Sequence, residues 1–154
     1  MTLVKYNPRI LPKGMDTEVT LKAIIASPNN SDNFTVYLAS KNESIILPII
    51  LDKNSAIPVI NAIQLKDFSE IIPNIYDTTS KILALFGGNI QKILITTPNG
   101  LVFYSYIHIE RGKELLDISS KVSDSLALAF KCGCPIFVTE KTMQIYGFDA
   151  KDIS

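Results

Sequence analysis

Tryptophan is absent from this 154-residue chain, and histidine, cysteine and net charge are nearly so. A single histidine, His108, stands in the sequence, and there is no Ser-x-Gly elbow, so no Ser-His-Asp triad can be assembled around it. The two cysteines, Cys132 and Cys134, flank one glycine. Structural zinc takes about four ligands, and one C-x-C with one histidine does not supply them. Nor is one close pair a disulfide framework. These cysteines read as small apolar side chains near a helix end. Lys+Arg and Asp+Glu are 15 each, so the formal charge is zero. Nucleic-acid binders draw their non-specific affinity from an excess of positive charge, so a role of that kind would need charge sorted into a local patch. No apolar run approaches the ~18 residues of a membrane span, so no membrane partner is expected. The start, MTLVKYNPRILPKG, has no apolar h-region, and a cytoplasmic protein is the expectation.

What is present is a chain of one-domain length that is 47% hydrophobic. A surface somewhat richer in apolar groups than usual fits an oligomer, and a homodimer is the expected form. Residues 1–15 carry two prolines and a glycine and read as a flexible arm, followed by a single domain over 16–150. TEVTLKAIIAS (17–27), FTVYLAS (34–40) and SIILPII (44–50) read as strands, with a turn cluster over 27–33. Pro48 cannot donate a ladder hydrogen bond, which places it on an edge or at a bulge.

The period then changes. Ala56, Val59, Ile60 and Ile63 form one helical face, with Asp52 or Ser55 as cap and Pro58 in the first turn. A connection spans 65–74. A second helix begins with Asp77 as cap and ends at Gly87-Gly88. Strands follow at 89–96, 101–110 and 114–119, the last two joined by a tight turn at Arg111-Gly112-Lys113. Ser123 is the natural N-cap of a third helix, 123–131, that Gly133 ends. PIFV (135–138) is a short buried strand, and a last helix runs from Thr139 to Gly147. This order predicts an α+β fold, a single domain of mostly antiparallel strands with three to four helices.

Few residues suggest a site. Alternation along LVFYSYIHIE sets Tyr104, Tyr106 and His108 opposite Leu101, Phe103, Ile107 and Ile109. Such a stripe suits base stacking, a subunit contact or a half-buried second face under a helix. Gly87-Gly88 follows a helix and has no GK[ST] after it, so it is a helix stop and no phosphate loop. Ser123-Asp124 caps a helix; with Lys121 just before it, the same helix start also suits an anion such as phosphate.

The segments LPIILDKNSAIPVINAI, IYDTTSKILALFGGNIQKILIT, FYSYIHIE and ISSKVSDSLALAFKCGCPIFVTEKTM together resemble the bifunctional nuclease family, over residues 17–147. The most specific stretch is the last, where Ser123, Asp124, Leu128, Ala129, Pro135, Ile136, Phe137 and Val138 match the family motif. Many polar positions depart from it. Asp52 stands at the family's glycine, Ser55 at its glutamate and Tyr76 at its histidine. Ser119, Lys121 and Val122 stand at its aspartate, arginine and proline, while Asp77 and Asp124 are kept. Lysine for arginine keeps the charge without the bidentate fork.

The resemblance implies hydrolysis of DNA and RNA phosphodiesters, a chemistry that commonly uses carboxylate-held Mg2+ or Mn2+. It implies Asp77 and Asp124 as catalytic carboxylates, with Lys121 and Ser123 holding the substrate phosphate. The lost polar groups imply a reduced site. The alternative is a catalytically inactive binding or assembly module on the same fold.

Overall fold

The computed structural model describes residues 4–5, 16–64 and 73–152. Among them a nine-stranded sheet runs in the order β1-β7-β6-β5-β8-β2-β3-β4-β9. The strands are β1 (Val4–Lys5), β2 (Thr17–Ser27), β3 (Asn30–Ser40), β4 (Ile45–Asp52), β5 (Gly88–Thr96), β6 (Tyr104–Arg111), β7 (Glu114–Ser120), β8 (Ile136–Val138) and β9 (Phe148–Asp149). The helices are α1 (Lys53–Gln64), α2 (Ile75–Leu85), α3 (Val122–Cys132) and α4 (Glu140–Tyr146). Every described strand pairing is antiparallel except β5 with β8, where Ile93 pairs with Ile136. This is the α+β single domain that the element order predicts.

Helices α1 and α3 pack on each other, α1 over β3 and β4 and α3 over β5 and β6. The core fills the space between. Val36, Leu38, Leu47, Ile49, Ile93, Ile95 and Val138 rise from the sheet to meet Val59 and Leu126 from the helices. Small residues, Ala56 and Ala62 on α1 and Ala127 and Ala129 on α3, are fully or almost fully buried. They let the two helices approach closely, so the starts of α1 and α3 lie side by side.

Several local expectations are corrected. β3 begins at Asn30, so the expected turn cluster shrinks to Pro28-Asn29, and exposed polar residues continue the strand. β6 begins at Tyr104, leaving Leu101 and Val102 exposed. Pro58 is not in the first turn of α1 but inside the helix, in the second, because the helix already starts at Lys53. Pro48 fits its expectation: β4 meets β9 only at Ile45 and Ile46, so near Pro48 the strand has one described neighbour, β3.

Of the arm expected over 1–15, Val4–Lys5 pairs with β7 at Val4↔Asp117 and Lys5↔Leu116. The rest of that arm, and 65–72 of the expected connection, lie outside the described residues. No helix among the described residues is long and apolar enough to cross a membrane.

Candidate functional site at the starts of three helices

Asp52, the last residue of β4, caps α1. Its Oδ1 accepts the Ser55 backbone N–H at 3.0 Å and its Oδ2 accepts the Ser55 hydroxyl at 2.9 Å. The Ser55 amide, then its hydroxyl, hold the Asp52 carboxyl below its usual range; burial opposes them, and the Lys121 charge adds a smaller lowering. Asp52 therefore stays anionic. From the start of α3, Lys121 reaches across and its Nζ donates to Ser55 Oγ at 2.6 Å. One lysine side chain thus ties the first turns of α1 and α3 together.

The α3 start differs from the expectation that Ser123 caps it. Lys121 occupies the cap position and no side chain closes the helix; Ser123 is the second helical residue. The first N–H groups of a helix have no intrahelical acceptor and, with the helix dipole, attract anions. The Ser123 hydroxyl is turned inward, buried and without a hydrogen bond. Any contact it makes with a ligand runs through its backbone N–H.

The α2 start is capped by Asn74 and not by Asp77. Asn74 Oδ1 accepts the N–H groups of Tyr76 at 2.9 Å and Asp77 at 3.1 Å. Asp77 Oδ2 accepts the Asn74 N–H at 2.9 Å, which completes a capping box with Asp77 in the third position. The other carboxylate oxygen of Asp77 lies 3.3 Å from Lys131 Nζ, and both side chains are nearly enclosed, at 10% and 5% exposure. Both oxygens of Asp77 are engaged in holding α2 to itself and to α3.

Asp124 is exposed, and its Oδ1 accepts the Tyr76 hydroxyl at 3.0 Å. Burial, then the hydrogen bond and charge of Asp124, push the Tyr76 phenol up to about 12, so it remains a donor at neutral pH. The junction therefore gathers Asp52, Ser55, Tyr76, Lys121 and Asp124. Asp77 is one residue from Tyr76, but its partner Lys131 lies two helical turns along α3 from Asp124.

Divalent metal fits this set poorly. No group of three or more His, Cys, Asp or Glu side chains among the described residues is arranged to hold an ion. Asp77 is doubly engaged, Asp124 carries Tyr76, and Lys121 places a positive charge beside Asp52. Each of these opposes a prebuilt cation cage.

Elsewhere, the Tyr104 and Tyr106 rings meet edge-on at 5.5 Å, and His108 is buried with its Nδ1 2.6 Å from Asp117 Oδ1. Cys132 is exposed and Cys134 half-buried; burial, helped by Cys132, pushes the Cys134 thiol up to about 11. A cleft of about 280 Å³ lies toward the far end of α1, lined by Leu21, Ile24, Phe34, Ile60, Ile63 and Gln64. It has no titratable lining and lies away from the three helix starts.

A family model for the bifunctional nuclease domain matches residues 36–151. The chain belongs to the bifunctional nuclease family. No curated protein matches it. Within this family the junction gains meaning. Ser55, Tyr76 and Lys121 stand where the family motifs carry glutamate, histidine and arginine, and here they bond to one another or to the retained Asp124. Reading capping and motif positions separately missed Asp52, Ser55 and Tyr76 as partners. Their common signal was that all three are polar residues that depart from the motif, Asp52 at its glycine, Ser55 at its glutamate and Tyr76 at its histidine.

Proposed function

We propose that this bifunctional nuclease family member binds the phosphodiester backbone of a nucleic-acid strand at the junction of α1 and α3, and hydrolyses it slowly. The observation that carries the reading is Lys121, with its Nζ 2.6 Å from Ser55 Oγ and an α3 start that no side chain caps. A phosphate there meets one ammonium and the N–H groups of Val122, Ser123 and Asp124, which is the usual chemistry of anion binding at a helix start.

In this reading Asp124, oriented by the Tyr76 hydroxyl, takes a proton from the attacking water as its oxygen bonds to phosphorus. Lys121 offsets the charge that builds on the phosphoryl oxygens. The P–O bond to the leaving group breaks, and solvent protonates the leaving oxygen. Asp77 serves the site by positioning α2, and so Tyr76, against α3.

The second reading is phosphate binding without hydrolysis. It is favoured by the Tyr76 hydrogen bond that occupies one oxygen of Asp124.

The test pairs binding with cleavage on labelled single-stranded DNA and RNA, in Mg2+, in Mn2+ and in chelator. Lys121→Gln is expected to weaken binding about tenfold and to lower the salt slope by about one. Asp124→Asn is expected to keep binding and remove cleavage. Unchanged binding in Lys121→Gln sinks both readings. Binding without any cleavage in the parent selects the second.

A further inference from the structure

Helix α2 has no buried residue along its 11 positions. Its inner side chains, Tyr76, Asp77, Ser80 and Leu83, are half-buried, and the helix packs against α3 and β5. Its outer side carries Ile75, Thr78, Thr79, Ile82, Leu85 and the cap residue Phe86, all exposed. The large ones are open to solvent by 67% at Ile75, 52% at Ile82, 84% at Leu85 and 75% at Phe86.

These six fall at i, i+3, i+4, i+7, i+10 and i+11. That is the spacing of positions a, d and e over two heptads, the seam by which one helix packs on another. No charged residue lies on the stripe. Asp77 is turned inward to Lys131, and Lys81 projects from the flank. The seam therefore offers nothing to a nucleic-acid or strongly charged partner.

We propose that this outer face of α2 is the two-fold interface of a homodimer, with α2 antiparallel to α2 of a second copy. The occupant is a second copy because the seam is complementary to itself. Reversed on its own image, Ile75 meets Phe86 and Leu85 of the second copy, and the bulky Ile82 falls opposite the small Thr79. If all of their exposed surface were covered, the four large side chains would bury roughly 550 Å² per copy, or about 1,100 Å² for the pair. That just exceeds the ~1,000 Å² that a specific interface needs. Antiparallel helices also bring opposite ends of their dipoles together. This inference does not depend on the phosphodiester reading.

The test is sedimentation of the full chain at about 50 μM and below, to obtain a dimer dissociation constant. The parent is expected to be a dimer. Ile82→Lys and Thr79→Arg, both at exposed positions, should each raise that constant at least about thirty-fold while far-UV circular dichroism stays unchanged. Ile50→Lys, at a β4 side chain that is 70% exposed, serves as the control and should leave the dimer intact. A monomeric parent at about 50 μM overturns the proposal. So does a dimer that survives both α2 substitutions, or one that only Ile50→Lys disrupts.

Discussion

Replacing Asp77 with alanine should unfold the protein far more readily than the loss of one surface carboxylate, because two tasks end at once. The helix cap loses the acceptor for the Asn74 N–H, which is worth about 1 kcal/mol. The Lys131 ammonium, at 5% exposure, also loses its carboxylate partner at 3.3 Å. Removing one partner of an enclosed ion pair costs roughly 3–5 kcal/mol, because the remaining charge is neither paired nor solvated. The overall loss should lie near the upper part of that range, equal to about 10–15 °C in Tm for a domain of this size. The assay is urea and thermal unfolding followed by circular dichroism.

Asp77→Asn separates the two tasks, since its side-chain oxygen still accepts the Asn74 N–H but carries no charge. It should recover the cap and little else. Adding Lys131→Met to Asp77→Asn removes the stranded charge and should restore more than half of the lost stability. If Asp77→Ala costs less than about 1 kcal/mol, the enclosed pair is not what fastens α2 to α3, and the positioning role given to Asp77 fails.

The buried pair on β6 and β7 should show itself in opposing pH slopes. Burial, with the Lys92 charge, pushes His108 down to about 4, so its share of stability is present above 6.5 and is lost as pH falls toward 4. Burial pushes Asp117 up to about 6 against the opposing Lys92 charge, so its share is full below 3.8 and is lost as pH rises through 6. The two largely cancel in the parent. Asp117→Asn should therefore lose on the order of 1–2 kcal/mol relative to the parent between pH 6.5 and 4, as read from urea midpoints; a parallel pH profile refutes this. Gly133 ends α3 at φ 68°, and an added Cβ there meets nothing within 4 Å. Gly133→Ala should cost about 1–2 kcal/mol from backbone conformation alone, and an unchanged Tm contradicts that.

Alternation and β-branched residues marked the strands well, because the helix-covered face must bury every second side chain, as Leu47, Ile49 and Leu51 do on β4. Helix starts were harder to place. A capping box built on Asn74 and Asp77 shows in sequence as two polar residues three apart, and either one can be taken as the cap. At α3 the serine expected as the cap is the second helical residue, and a lysine with no capping bond holds the cap position. The polar junction was only partly legible. Lys121 and Asp124 stand in one motif, but their links to Ser55 and Tyr76 depend on how closely α1 and α2 each pack against α3, and no local pattern encodes those distances. The more apolar side of helix α2, with Ile75, Ile82, Leu85 and Phe86, faces outward; the inner side is set by the capping box and Lys131, not by the periodicity.

The most direct test of the account is cleavage of labelled single-stranded DNA and RNA by the parent, Lys121→Gln and Asp124→Asn, with strand affinity measured in the same samples. The junction of α1 and α3 predicts salt-sensitive binding that weakens about tenfold in Lys121→Gln, and cleavage that disappears in Asp124→Asn while binding persists. Equal affinity and equal cleavage in all three proteins would place the chemistry elsewhere and contradict the site.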